Sequence, residues 1–166
     1  VKFHQKGQIS AGYYDNNATP YIVENGQYGW RTRFYHFGLS WRLPAAFELS
    51  GQFLSGDTLM QSPLRRDVVN NDYKSAFIAL SKRIKKHRMT IRLEEFSVTD
   101  NDLTVGDNNN EYGKSATLNY TYRYSKPVFL SLEYNWLNSY RPARMYTEQA
   151  IDLTERQWQL ATRYFF

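Results

Sequence analysis

The chain has no cysteine among its 166 residues, so neither a disulfide framework nor a thiolate metal site is open to it. It also lacks any apolar run near the roughly 18 to 20 residues that a membrane helix requires, and its mean hydropathy is only −0.67. A helical membrane protein is thereby excluded. A transmembrane β-barrel is not, because there only every second residue must be apolar and window averages conceal the alternation. His4, His36 and His87 stand on different elements without metal-ligand spacing, and there is no Gly-rich phosphate loop. Neither a metal nor a cofactor is expected. Lys and Arg outnumber Asp and Glu by 21 to 16, but they are dispersed over the chain, which argues against nucleic acid as a partner.

What the chain has in quantity is aromatic side chains: 14 Tyr, 10 Phe and 4 Trp, as the girdles of a membrane barrel would use. They are ordered at the C-terminus. Trp158, Leu160, Thr162, Tyr164 and Phe166 fall on one face of a period-two strand, and Gln157, Gln159, Ala161, Arg163 and Phe165 on the other. A helix capped near Thr147 and running through Trp158 is the competing local reading. The aromatic end with Trp158, Leu160, Tyr164 and Phe166 resembles the terminal sorting signal of bacterial outer-membrane β-barrels. That resemblance implies handling by the barrel-assembly machinery.

The same alternation runs through the chain. Strand one begins at the first residue and reaches about Tyr14. Strand two places Tyr35, Phe37, Leu39, Trp41 and Leu43 against Phe34, His36, Gly38, Ser40 and Arg42. After Pro44-Ala45-Ala46, strand three sets Phe47, Leu49, Gly51 and Phe53 opposite Glu48, Ser50 and Gln52, so that Arg42 and Glu48 become neighbours. Strand four, about Tyr73 to Arg83, is ambiguous, since Ala76, Ile78 and Leu80 compete with Phe77 and Ala79 for the outer face. Strand five turns Met89, Ile91 and Leu93 outward and Arg88, Thr90, Arg92 and Glu94 inward. Strand six presents Ala116, Leu118, Tyr120, Tyr122 and Tyr124, strand seven Val128, Leu130, Leu132, Tyr134 and Trp136. Polar loops are expected at about 15–28, 55–72, 99–111 and 138–155, and short turns between the others.

This long–short alternation matches the outside and periplasmic connections of outer-membrane barrels. The expected fold is therefore all-β, an antiparallel up-and-down transmembrane barrel of eight strands in one domain over 1–166, with both termini periplasmic. A soluble lipocalin-like barrel has the same alternation with the apolar face turned inward. A strand already under way at Val1 suggests a segment upstream.

Most of the chain resembles the C-terminal region of uncharacterised proteobacterial porin-like outer-membrane proteins. The resemblance is carried by Tyr28-Gly29-Trp30-Arg31-Thr32-Arg33-Phe34, Gly56-Asp57-Thr58-Leu59-Met60, Val69-Asn70-Asn71-Asp72, His87-Arg88-Met89-Thr90-Ile91-Arg92 and Asn138-Ser139-Tyr140-Arg141-Pro142-Ala143-Arg144. It implies an outer-membrane location and a missing N-terminal part, and supplies no substrate.

The inward charges Arg42, Glu48, Arg92, Glu94, Arg123, Glu133 and Arg163 are the main candidates for function. An eight-stranded barrel is just wide enough to be filled by its own side chains, so there they form an ion-pair network inside a closed scaffold or anchor. In a larger barrel the same residues line a channel, and the basic excess favours anions. The scaffold ranks first and porin-like passage second. A lipid hydrolase built on His36, Ser40 and Glu48 ranks last, so the chain is expected not to be an enzyme. Arg65, Arg66, Arg141 and Arg144, on the long loops, are candidate contacts to lipopolysaccharide phosphates. The acidic stretch 100–111 lacks the order of an EF-hand and reads as a solvated loop. Outer-membrane lipid, lipopolysaccharide and an upstream domain or protein are the expected partners.

Overall fold

The computed structural model describes residues 2–3, 6–21, 23–24, 27–60, 68–102, 104 and 106–166. Eight long strands follow one another: β1 Gly7–Asp15, β2 Trp30–Leu43, β3 Phe47–Met60, β4 Val69–Ile84, β5 His87–Asp100, β6 Glu111–Arg123, β7 Val128–Tyr140 and β8 Asp152–Tyr164. Each pairs antiparallel with the next in chain order. The fold is thus the up-and-down antiparallel sheet expected from the alternation. The alternative helix at the C-terminus is absent, for only a 3-10 turn, Pro142–Thr147, precedes β8.

Register assigns the faces. Trp41 lies opposite Leu49 and Leu43 opposite Phe47, which puts Arg42 opposite Glu48 on the other side. Leu49, Gly51 and Phe53 meet Leu80, Ile78 and Ala76, so Ala76, Ile78 and Leu80 belong to the outer face. Phe77, Ala79 and Ser81 go inside. The outer face is apolar and bare: Ile91 is 53% exposed, Trp158 67% and Leu160 81%, while the buried positions among the described residues are Pro20, Ala79, Ser81, Gly113 and Ser139. In water such a belt would lose its hydrophobic stabilisation, at about 25 cal/mol per Å². A soluble barrel would turn these residues inward, so the membrane orientation stands.

Three expectations about the strands are corrected. The first strand is two pieces, because Lys2–Phe3 folds back antiparallel on Gly7 and Gln8, and period-two alternation looks the same in one long strand as in two short ones. The strands also run further than expected, with β3 reaching Met60 and β4 starting at Val69. Their polar ends read as loop, yet ladder bonds continue beyond the apolar belt, and Arg33 pairs there with Asp57 at 2.8 Å. A small hairpin, Val23–Glu24 with Gln27–Tyr28, stands where plain loop was expected.

The long and short connections alternate as expected. The tight ones use left-handed backbone at Ala45, Ala46 and Lys85. The sheet itself is open: β1 and β8 are not paired with each other among the described residues, and β8 is exposed on both faces from Thr154 to Tyr164.

Candidate functional site

The inner face is polar and organised in cross-strand groups. On β6 and β7, Asn119 and Asn135 donate their amides to Glu133 at 2.9 and 3.0 Å, Thr117 donates to Asn135 at 2.8 Å, and Thr121 shares a hydrogen bond with Ser131 at 2.9 Å. On β5, Arg92 meets Glu94 at 2.8 Å and lies 4.1 Å above the Phe77 ring of β4. Arg88 reaches across Ser81, at 3.2 Å, toward Glu48 on β3 at 3.4 Å. Ion pairs so open to water hold little energy each, at most about 1 kcal/mol. Their consequence is a wettable wall, half-exposed and unfilled.

Near the short turns this wall becomes strongly basic. A cavity of about 490 Å³ is lined by Arg83, Arg88, Arg123 and Arg163, together with Lys85, Lys86 and His87. Register explains the convergence: Arg83 is opposite Arg88 on β4 and β5, while Arg123 and Arg163 flank Phe129 from β6 and β8. One cavity reaching from β4 to β8 also shows that the sheet curls, since four strand spacings on a flat sheet measure roughly 19 Å. Thr121, Ser131 and Asn119 add neutral polar groups, and Phe129 and Phe165 meet edge to face at 5.5 Å.

The sequence-derived candidates divide accordingly. Arg42 and Glu48 are register neighbours, Arg92 and Glu94 form an ion pair, and Glu133 is held by amides, not by a cation. Arg123 and Arg163 join the basic cavity, and among the described residues neither has an acidic partner within ion-pair distance. Two of its arginines do not stand out as site residues in the sequence. Arg88 reads there only as one inward residue of strand five, and Arg83 lies beside the turn Lys85-Lys86-His87, where basic residues look like ordinary turn solvation.

Of the loop candidates, Arg65 and Arg66 lie outside the described residues. Arg144 is taken up internally, donating to the Ser139 carbonyl at 2.8 Å and to its hydroxyl at 2.7 Å. Arg141 and Arg144 both lie near Glu111, at 3.9 and 4.0 Å. The acidic loop likewise spends its carboxylates on its own backbone: Asp100 accepts from the Asp102 and Asn109 amides, and Asp102 from those of Thr104 and Asn70. Burial works to raise the Asp102 carboxyl, but the hydrogen bonds from Thr104 and Asn70 outweigh it and hold it below its ordinary value. No cluster of three or more acidic or histidine side chains among the described residues could hold a metal. At the C-terminus Trp158, Leu160 and Tyr164 project from the outer face, and Phe166 lies beyond the strand end.

His36, Ser40 and Glu48 do not converge. His36 is opposite Leu54 and Ser40 opposite Ser50, no hydrogen bond joins the three, and Glu48 turns to Arg88. His36 instead lies across Gly12, where any Cβ would collide with its ring.

No family model matches the chain, and no curated protein matches it. Among solved structures it is similar to OmpTdeltaL8, a loop L8 deletion mutant of OmpT, an outer membrane protein of Vibrio cholerae, with a TM-score of 0.69 at 10% sequence identity. The similarity covers 98% of this chain and 50% of that one, so the chain spans half the length of the structure it matches. The chain therefore has the fold of an outer-membrane β-barrel protein. One expectation is corrected by this likeness, namely that the chain is not an enzyme. That exclusion rested on the low rank of the His36, Ser40 and Glu48 set; the barrel form shared with an outer membrane protein is as compatible with catalysis as with passage, so the exclusion does not hold.

Proposed function

We propose that the chain forms one wall of a water-filled outer-membrane channel that passes small hydrophilic solutes and prefers anions. The observation that carries this reading is the open, polar inner face of a sheet of eight long strands, edged by the short Lys2–Phe3 piece, in a chain that matches half the length of a larger outer-membrane protein. Eight strands closed on themselves would leave room only for side chains, whereas about 16 leave an aqueous passage. In hydrocarbon an open sheet edge is intolerable, since each unpaired backbone group costs several kcal/mol. Lys2–Phe3 covers only the Gly7–Gln8 end of β1, so the rest of that edge and the free edge of β8 need partner strands, and additional strands satisfy them while keeping the inner wall wet. Membership in the porin-like group that the sequence resembles fits the same picture, as does a periplasmic placement of both ends and of the short turns. The aromatic C-terminus would then be read by the assembly machinery, and lipid and lipopolysaccharide would meet the outer belt.

A closed scaffold that displays its loops is the second reading, favoured by the hydrogen-bonded groups already knit across β6 and β7. Planar-bilayer recording of the protein extracted from its own outer membrane separates the two. Open steps with a reversal potential displaced toward the anion equilibrium potential are expected; a folded, inserted protein that stays silent would remove the channel and leave the scaffold.

A further inference from the structure

We propose that the arginine-lined cavity at the short-turn end of the inner face is a binding site for a small organic polyanion, a solute carrying two or more carboxylate or phosphate groups. The assignment deepens the channel reading by naming its solute class, and it rests on that reading for its biological sense.

Arg83 stands directly opposite Arg88, and Arg123 and Arg163 flank one residue, Phe129. Like charges placed across a ladder repel, so this arrangement is maintained against a cost. Among the described residues one carboxylate answers the four guanidinium groups, Glu48 at 3.4 Å from Arg88, and it does not line the cavity. The surplus charge is therefore aimed into a space of about 490 Å³, a size that suits a small organic solute.

The class of ligand follows from the lining. Guanidinium groups bind carboxylate and phosphate through paired, parallel hydrogen bonds, which a monatomic anion cannot accept. Cations on four strands, β4, β5, β6 and β8, present charge from several directions, so two or more anionic groups on one molecule gain more than one group alone. The Ser131 and Thr121 hydroxyls and the Asn119 amide offer further hydrogen bonds. The edge-to-face Phe129–Phe165 pair supplies an apolar surface for a carbon framework.

Calorimetric titration of the full chain in non-ionic detergent micelles with citrate, and separately with inorganic pyrophosphate, tests the site without any need for conductance. Saturable binding at constant ionic strength is expected, with acetate unable to compete at equal concentration. The double substitution Arg123→Gln with Arg163→Gln should weaken binding at least tenfold, whereas Arg92→Gln, in the mid-sheet pair with Glu94, should leave it within twofold. Should the double variant fail to give β structure by circular dichroism, the single variant Arg83→Gln is used, with a threefold or greater loss expected. Equal affinity in wild type and variant, or displacement by acetate as strong as by citrate, would overturn the site. Displacement only by micelles doped with phosphatidylglycerol would assign the arginines to a lipid headgroup and overturn the solute reading. Binding in a protein that never opens in a bilayer would sink the channel and keep the site; open steps without binding would do the reverse.

Discussion

At the residue scale, the acidic loop illustrates how side chains that look available for a ligand are consumed by the backbone. Asp102 accepts from the Thr104 amide at 3.0 Å and from the Asn70 amide at 3.1 Å, the second tying the loop to the start of β4. These bonds favour the charged carboxylate and lower its proton affinity in the folded state. A carboxyl lowered in this way stabilises the fold fully above its unfolded value of about 3.9, and the contribution is lost as pH falls through the lower folded value. Hydrogen-exchange protection of the Asn70 and Thr104 amides should therefore hold level from neutral pH to about 4 and decline below it. In Asp102→Asn the same amides should show reduced protection already at pH 7; protection indifferent to acid would remove the carboxylate from this role. None of this is legible in the sequence, where Asp, Asn and Thr in a row signal a turn but not which amides the oxygens will reach. The arginine cavity is legible in part: inward placement of Arg123 and Arg163 follows from alternation, whereas the meeting of Arg83 with Arg163 depends on curl.

At the scale of the element, alternation identifies the faces of β2, β3, β5, β6 and β7 because each has an unbroken apolar row with polar residues between. Strand β4 resists, since Ala76, Phe77, Ile78, Ala79 and Leu80 are all apolar, and only pairing with Phe53, Gly51 and Leu49 decides among them. Strand ends escape for a related reason, as Thr58, Asn70, Asn71 and Asp72 have no burial to announce them yet still complete the ladder. One element-level fit is invisible in the sequence: Phe96 lies over Gly113 across β5 and β6, and a Cβ there would stand 2.6 Å from the ring and 2.8 Å from the Asn138 carbonyl. Overpacking of such a contact costs about 1 to 3 kcal/mol. Gly113→Val should lower the urea midpoint of the protein in micelles accordingly, and Phe96→Ala combined with Gly113→Val should recover part of the loss by relieving the ring contact. An unchanged midpoint for Gly113→Val would mean that the strands shift freely at this position.

At the scale of the whole molecule, the question is what completes the sheet. Strand count and connection lengths are readable because turn residues and apolar rows punctuate the chain, but closure is not, since no local pattern records how many strands a barrel holds. Were the eight strands to close on themselves, β1 and β8 would be ladder neighbours with opposed Cβ atoms roughly 4.5 to 5.5 Å apart. Separated by further strands, they would lie well beyond the reach of a disulfide, which needs Cα atoms within about 7 Å. The absence of native cysteine makes the comparison clean. With Ala11→Cys on the outer face of β1 and, in separate variants, Trp158→Cys, Leu160→Cys or Thr162→Cys on that of β8, copper-phenanthroline oxidation in the outer membrane should give no intramolecular cross-link. The three positions sample three successive registers of a direct β1–β8 ladder on that face. A cross-link in any one of them would mean a closed eight-stranded barrel, its inner arginines facing each other across a narrow interior. Uniform absence, in variants that cross-link readily in a control pair Leu39→Cys with Gly51→Cys across β2 and β3, would mean that other strands stand between the two edges and that the wet inner face is one side of a passage.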